Sequence, residues 1–172
     1  MNIYNLINSK FTMIHATLCF LRSEGKTLFL FRSKEGDIHK GWHVPPGGKT
    51  ERGERGVDCV VREFKEETGL TLINPKLRII ATFYNEGRVL GGKENPEDWK
   101  VEVYEAGEFS GQLKEEHPKA KLEWIEDKDL ESINMYPGDR KIMELLREDG
   151  VFEVITQYSK ENLIKFEHSR VI

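Results

Sequence analysis

Only two cysteines, Cys19 and Cys59, occur in the 172-residue chain, and neither has metal-like spacing. That excludes a disulfide-stapled scaffold and a thiolate metal centre, and both thiols read as small buried hydrophobes. No apolar run approaches the roughly 20 residues of a membrane span, so no transmembrane helix and no membrane partner are expected. A basic excess is also lacking. Lys and Arg number 26 against 30 Asp and Glu, a formal net charge of -4, and duplex binders need such an excess to displace counterions from phosphates. Duplex nucleic acid is therefore excluded as a partner. Met1–Lys10 have neither the basic start nor the long apolar core of a secretory signal, so a reducing cytoplasm is the expected location. What remains, with 38% hydrophobic and 33% charged residues, describes one polar globular domain over residues 1–172.

Periodicity divides that domain. From Thr12 to Arg32, Ile14, Ala16, Leu18 and Phe20 alternate, Ser23-Glu24-Gly25-Lys26 punctuates, and Leu28-Phe29-Leu30-Phe31 follows. This is a β-hairpin pattern. Ser33 to Gly48 holds Gly36, Gly41, Pro45, Pro46, Gly47 and Gly48 and reads as loop. Between Arg55 and Thr68 the period lengthens: Val57, Val60, Val61 and Phe64 recur at helical spacing and Gly69 supplies a stop. Leu77–Phe83 and Lys100–Phe109 read as strands around a loop through Gly91, Gly92 and Pro96, with Lys121–Ile125 a further short strand. A late helix over Pro137–Glu148 and a hairpin from Val151 to Phe166, turning at Ser159-Lys160-Glu161-Asn162, complete an α/β pattern.

On the early helix the apolar stripe leaves Glu63, Glu66 and Glu67 on a flank roughly 120° away. Three carboxylates at these spacings repel by a few tenths of a kcal/mol per pair. Taken alone they form a solvated face, as most charge runs do. A hard cation between them would reverse the balance, because magnesium takes one or two protein carboxylates together with substrate phosphates. Just ahead, Gly47-Gly48-Lys49 can bring backbone close to metal or phosphate, since glycine has no side chain to obstruct that approach. Glu54 lies near the start of the helix.

The frame around these glutamates resembles a known family. Gly48, Glu54, Arg62, Glu63, Phe64, Glu66, Glu67, Gly69 and Leu70 match the Nudix box, G-x5-E-x7-R-E-U-x-E-E-x-G-U, with Phe64 at a position that more often holds Ile, Leu or Val. The resemblance implies an α/β/α sandwich around a mixed β-sheet, with residues 48–70 forming a loop-helix-loop metal site. It implies Mg2+, with Mn2+ as a substitute, held by Glu66, Glu67, Glu63 and the Gly47 carbonyl. Arg62 would orient the glutamates and Glu54 would brace the loop. The implied reaction is attack of activated water on a nucleotide diphosphate.

Beyond the box the chain is similar to a MutT-like group of 8-oxo-dGTP or purine nucleoside triphosphate diphosphatases. The segments that carry this are Leu28-Phe29-Leu30-Phe31-Arg32, His39-Lys40-Gly41-Trp42, Gly47-Gly48-Lys49, Phe109-Ser110-Gly111, Trp124-Ile125 and Met135-Tyr136-Pro137-Gly138-Asp139-Arg140. Candidate substrate contacts are Arg32, His43, Gly48, Lys49, Tyr136 and Asp139. Three positions depart from the group. His43-Val44-Pro45 replaces W-N-G and its base-reading asparagine, Tyr136-Pro137-Gly138-Asp139 replaces W-P-D-D, and Lys119 stands where relatives place a metal or base glutamate before Trp124. Glu115 or Glu116 is the alternative for that last role. Asp37 and Pro45 miss the coenzyme A signature, and Glu86 occupies the proline position of ADP-ribose hydrolases. The alternatives left open are another nucleoside diphosphate-X substrate (ADP-ribose, diadenosine polyphosphate or dihydroneopterin triphosphate) and a nucleotide sensor without catalysis. A small-molecule nucleotide is the expected partner, and a homodimer through an edge strand or the tail is compatible with the sequence.

Overall fold

The computed structural model describes residues 13–85, 87, 89–90, 92–94 and 97–172. The sequence readings at Met1–Lys10, Thr12, Glu86, Gly91 and Pro96 lie outside the described residues. The first two strands, β1 (Ile14–Ser23) and β2 (Lys26–Arg32), meet at Glu24-Gly25, both with positive φ, the geometry of a tight hairpin turn. Their pairing covers only Arg22 with Thr27 and Ser23 with Lys26. Beyond the turn the two strands part. The expected loop that follows carries two short strands, β3 (His43–Val44) added to β2 and β4 (Gly47–Lys49) added to β1.

Helix α1 (Gly56–Thr68) realises the expected stripe: Val60 and Phe64 are fully buried, and Val57 and Val61 pack beside them. It ends where Gly69, at φ 83°, turns left-handed and donates its N–H to the Lys65 carbonyl at 2.9 Å, a C-cap geometry suited to glycine. Then come β5 (Leu70–Ile73), β6 (Lys76–Tyr84), the short β7 (Val89–Leu90) and β8 (Lys93–Glu94), β9 (Trp99–Ala106) and β10 (Glu108–Gly111). The single strand expected over Lys100–Phe109 is thus two: at Gly107 the chain leaves the main sheet and β10 pairs with β5 instead. The sequence reading missed β5, whose four residues directly follow the helix stop. Strand β11 (Ala120–Glu126), helix α2 (Pro137–Leu145), β12 (Phe152–Ser159) and β13 (Asn162–Arg170) complete the chain, the last hairpin running past Phe166 to Arg170.

The main sheet has the order β11-β2-β1-β9-β6-β12-β13. β1 with β9 and β6 with β12 are parallel, and the other pairs on this path are antiparallel, so the sheet is mixed. Alternation along β1 feeds two cores. Ala16 and Phe20 join Phe29, Ile79, Val103, Val154 and the α2 residues Ile142 and Met143 on one face. Cys19 and Leu21 join Leu28, Tyr104 and the α1 residues Val60 and Phe64 on the other. A helix on each face of one sheet is the expected α/β/α sandwich. Neither helix of the described residues is long and apolar enough to cross a membrane.

Candidate active site

The first turns of α1 and the loop before it are locked by Arg62. Its Nε and Nη2 donate to Glu54 Oε1 and Oε2, each at 2.8 Å, and its Nη1 donates to Glu63 Oε1 at 2.7 Å. Glu54 also accepts the Glu51 N–H at 2.9 Å. The Arg62 hydrogen bonds, reinforced by that backbone donor, hold the Glu54 carboxyl down at about 2. Arg62 reaches Glu66 as well, with Nη1 3.7 Å from Oε2. Glu54, Glu63 and Glu66 therefore share one guanidinium, and planar Arg suits such multiple anchoring.

Glu63 lies against Gly48, where any Cβ would overlap its carboxylate. Glu67 turns the other way, and its Oε2 accepts the Gly47 N–H at 2.9 Å. Burial pushes the Glu67 carboxyl up to about 7, against the pull of the Gly47 N–H, Arg32 and Lys119. Glu66 stays largely in solvent. Among the described residues no three acidic, His or Cys side chains already converge on one point. The donor set nevertheless fits a hard divalent cation: carboxylate oxygens along one flank, next to a glycine pair, carry more negative charge than the shared Arg62 offsets.

That flank opens on a cavity of about 460 Å³. Glu67, Gly47 and Gly48 line it, together with Arg32 and Lys49, whose Nζ lies 5.2 Å from the centre of the Trp99 ring. Tyr136 and Asp139 of the α2 segment, His39, Phe83 and Tyr158 line it as well. Tyr136 is stacked on Trp42, with ring centroids 4.2 Å apart and planes 9° from parallel, and its hydroxyl is 2.7 Å from His39 Nδ1. Gly138 N–H donates to Tyr158 Oη at 2.9 Å, and a Cβ on Gly138 would come within 2.7 Å of that oxygen. The first acid of the W-P-D-D pattern, which falls at position 138, could therefore be accommodated only if Tyr158 shifted.

His43 does not line the cavity: its ring packs 4.8 Å from Phe31, and Nε2 lies 3.1 Å from Glu123 Oε2. In β3 the neighbouring residues point to opposite faces, and the cavity receives Val44. Glu115 and Glu116 are exposed, whereas Lys119 is near enough to Glu67 for its charge to act on that carboxyl. Of the aromatics weighed for a base pocket, Phe83, Trp99 and Tyr136 line the cavity and Tyr84 is exposed. Sequence reasoning missed Asn85, a buried cavity residue. The buried face of β6 runs Ile79, Ala81, Phe83, and a further period-two step reaches Asn85.

Comparison with known proteins places this arrangement. The NUDIX domain family matches residues 13–146. The chain belongs to the Nudix family. An uncharacterized Nudix hydrolase of Bacillus subtilis (strain 168), YvcI, is 33% identical over 146 residues, covering 84% of this chain and 87% of the relative. Among solved structures, a mutator MutT protein from Bacillus halodurans superposes with a TM-score of 0.77 at 28% identity, over 91% of this chain and 97% of that one. A MutT protein from Methanosarcina mazei Go1 shares the fold with a TM-score of 0.62 at 24% identity, over 78% of this chain and 94% of that one. The chain is thus a MutT-like Nudix protein, and the segment 48–70 that resembles the Nudix box spans the end of β4, α1 and the start of β5.

Proposed function

We propose that this Nudix protein is a cytoplasmic, Mg2+-dependent hydrolase that cleaves a nucleoside triphosphate to nucleoside monophosphate and pyrophosphate. The favoured substrate is a purine nucleotide, oxidised or not, such as 8-oxo-dGTP. One observation carries the reading: a single cavity is lined both by Glu67 with the Gly47-Gly48 pair and by Tyr136 with Asp139. A nucleotide has its anionic chain at one end and its aromatic base at the other, and the cavity offers a wall suited to each. Similarity to the mutator MutT protein supports the same class. That both cores are built on one sheet supports treating residues 1–172 as one domain.

In this reading Glu63, Glu66, Glu67 and the Gly47 carbonyl hold the cation. When bound, Mg2+ supplies charge neutralisation of the diphosphate and a more acidic attacking water. Arg62 keeps Glu63 and Glu66 in place through the bonds described, and Glu54 fixes Arg62 in turn. Arg32 and Lys49 bring positive charge to the triphosphate. Tyr136, rigidified by the Trp42 stack and the His39 hydrogen bond, offers a face for the base, and Asp139 accepts hydrogen bonds from its edge.

The deciding experiment measures pyrophosphate or phosphate-ester release under identical Mg2+ from 8-oxo-dGTP, dGTP, the other nucleoside triphosphates, ADP-ribose and diadenosine polyphosphates. The expected result is fastest turnover on a purine triphosphate. Turnover on none of them would reject the enzyme reading in favour of a nucleotide-binding role, and fastest turnover on ADP-ribose or a dinucleotide would replace the triphosphate.

A further inference from the structure

Asn85 follows β6 on the face that Ala81 and Phe83 bury, is 2% exposed and lines the cavity. Among the described residues the other buried polar side chains, tyrosines aside, are all threonines. An amide is costly to desolvate without hydrogen bonds, and Asn85 is held by them at the cavity wall. Its setting is rigid: the backbone N–H donates to Asp98 Oδ1 at 2.8 Å, and Nδ2 donates to the Glu97 carbonyl, also at 2.8 Å. The second bond decides which end of the carboxamide is donor and which acceptor, a choice that an asparagine otherwise leaves open. The same cavity is lined by the apolar and aromatic side chains of Phe83, Val101, Trp99 and Tyr136. On the α2 segment the close approach of Gly138 to Tyr158 leaves room for a side chain at 138 only if Tyr158 shifts, and that segment brings Asp139 as its acid.

We propose that Asn85 is a specificity-determining residue whose carboxamide, together with Asp139, reads the hydrogen-bonding edge of a purine base held in this cavity. The ligand class rests on the nucleotide-hydrolase reading above. A carboxamide presents adjacent donor and acceptor groups, matching the paired donors and acceptors along a purine edge. Because the Glu97 bond fixes its orientation, it discriminates between edges instead of adapting to each.

The test compares kcat/KM for purine and pyrimidine nucleoside triphosphates in the wild type and in Asn85→Leu, each checked for a cooperative melt. The expected result is a loss of purine preference of about 10- to 100-fold, expressed mainly in KM. A folded Asn85→Leu that keeps the wild-type preference within about twofold overturns the proposal. Because Asn85 also anchors the segment before β9, a second measurement uses the intact protein: the side-chain amide NMR signals of Asn85, identified by their absence in Asn85→Asp. They should shift saturably with guanosine monophosphate and stay unmoved by ribose 5-phosphate; signals that ignore the nucleotide overturn the proposal. A wild type inert on every triphosphate rejects the triphosphatase reading, and the NMR titration still decides the role of Asn85.

Discussion

The two groups of lining residues assigned above to the phosphate end and the base end of a bound nucleotide are built on different principles. The glutamate end comes from one continuous stretch, Gly47 to Glu67, in which Arg62 ties Glu54, Glu63 and Glu66 together and a glycine pair gives the carboxylates room. The base end is assembled from β6, the segment before β3 and the start of α2, far apart in sequence and joined by a stacked Trp42–Tyr136 pair and a His39–Tyr136 hydrogen bond. A local network of charge can be changed little without losing the chemistry. A wall built from several elements can be altered one residue at a time, which is where substrate choice in such a fold has freedom to vary.

Substitution at the two ends should separate rate from affinity. Glu67→Gln keeps the size of the side chain but removes its charge, so it should fold normally while kcat falls on the order of 1000-fold or more. Near-normal steady-state turnover in that variant would remove Glu67 from the metal site. Tyr136→Ala should act the other way, raising KM for a purine triphosphate by roughly 10- to 100-fold through lost stacking, with a smaller effect on kcat. If kcat fell as far as in Glu67→Gln, the division of labour between the two ends would be wrong.

How much of each end was legible in sequence follows from the same contrast. The glutamate flank was readable because helical periodicity over a single segment fixes which residues share a face, and Val60 and Phe64 are buried where that periodicity puts them. The long strands of the main sheet were also readable, but not the short β3 and β4 that the expected loop adds to it, nor β5 and the break at Gly107, where pairing between β5 and β10 decides the boundaries. At the base end, Tyr136 and Asp139 could be located because they travel together. Asn85 could not, since only the folding of β6 beside α2 makes its neighbourhood. The side to which His43 turns was not legible for a local reason: in a two-residue strand one position faces the cavity and the other does not, and sequence alone leaves the phase open.

The carboxyl of Glu67 gives a third, smaller effect. Burial raises it from the ordinary 4.5 to about 7, so the folded metal-free protein holds this proton more tightly than the unfolded chain does. The proton's contribution to stability is therefore full below about 4.5 and is lost as pH rises through about 7. The melting temperature of the metal-free protein should carry a downward component of several degrees over that window, and Glu67→Gln should flatten it. Mg2+ should restore stability at the high-pH side by replacing the proton. A melting profile in Glu67→Gln with the same slope as the wild type would assign the pH dependence elsewhere.

The smallest effect is expected at His43, and it sharpens the boundary of the base end. Its neighbour Val44 lines the cavity, while the imidazole faces Phe31 and Glu123 on the other side of β3. His43→Gln retains a group able to meet Glu123 and removes the ring from Phe31. The expected loss is therefore one of packing and of part of a hydrogen bond, on the order of 1 kcal/mol in stability. KM for the preferred nucleotide should stay within about twofold of the wild type. A tenfold rise in KM without a change in melting temperature would bring the ring into contact with substrate and enlarge the base end to include both residues of β3.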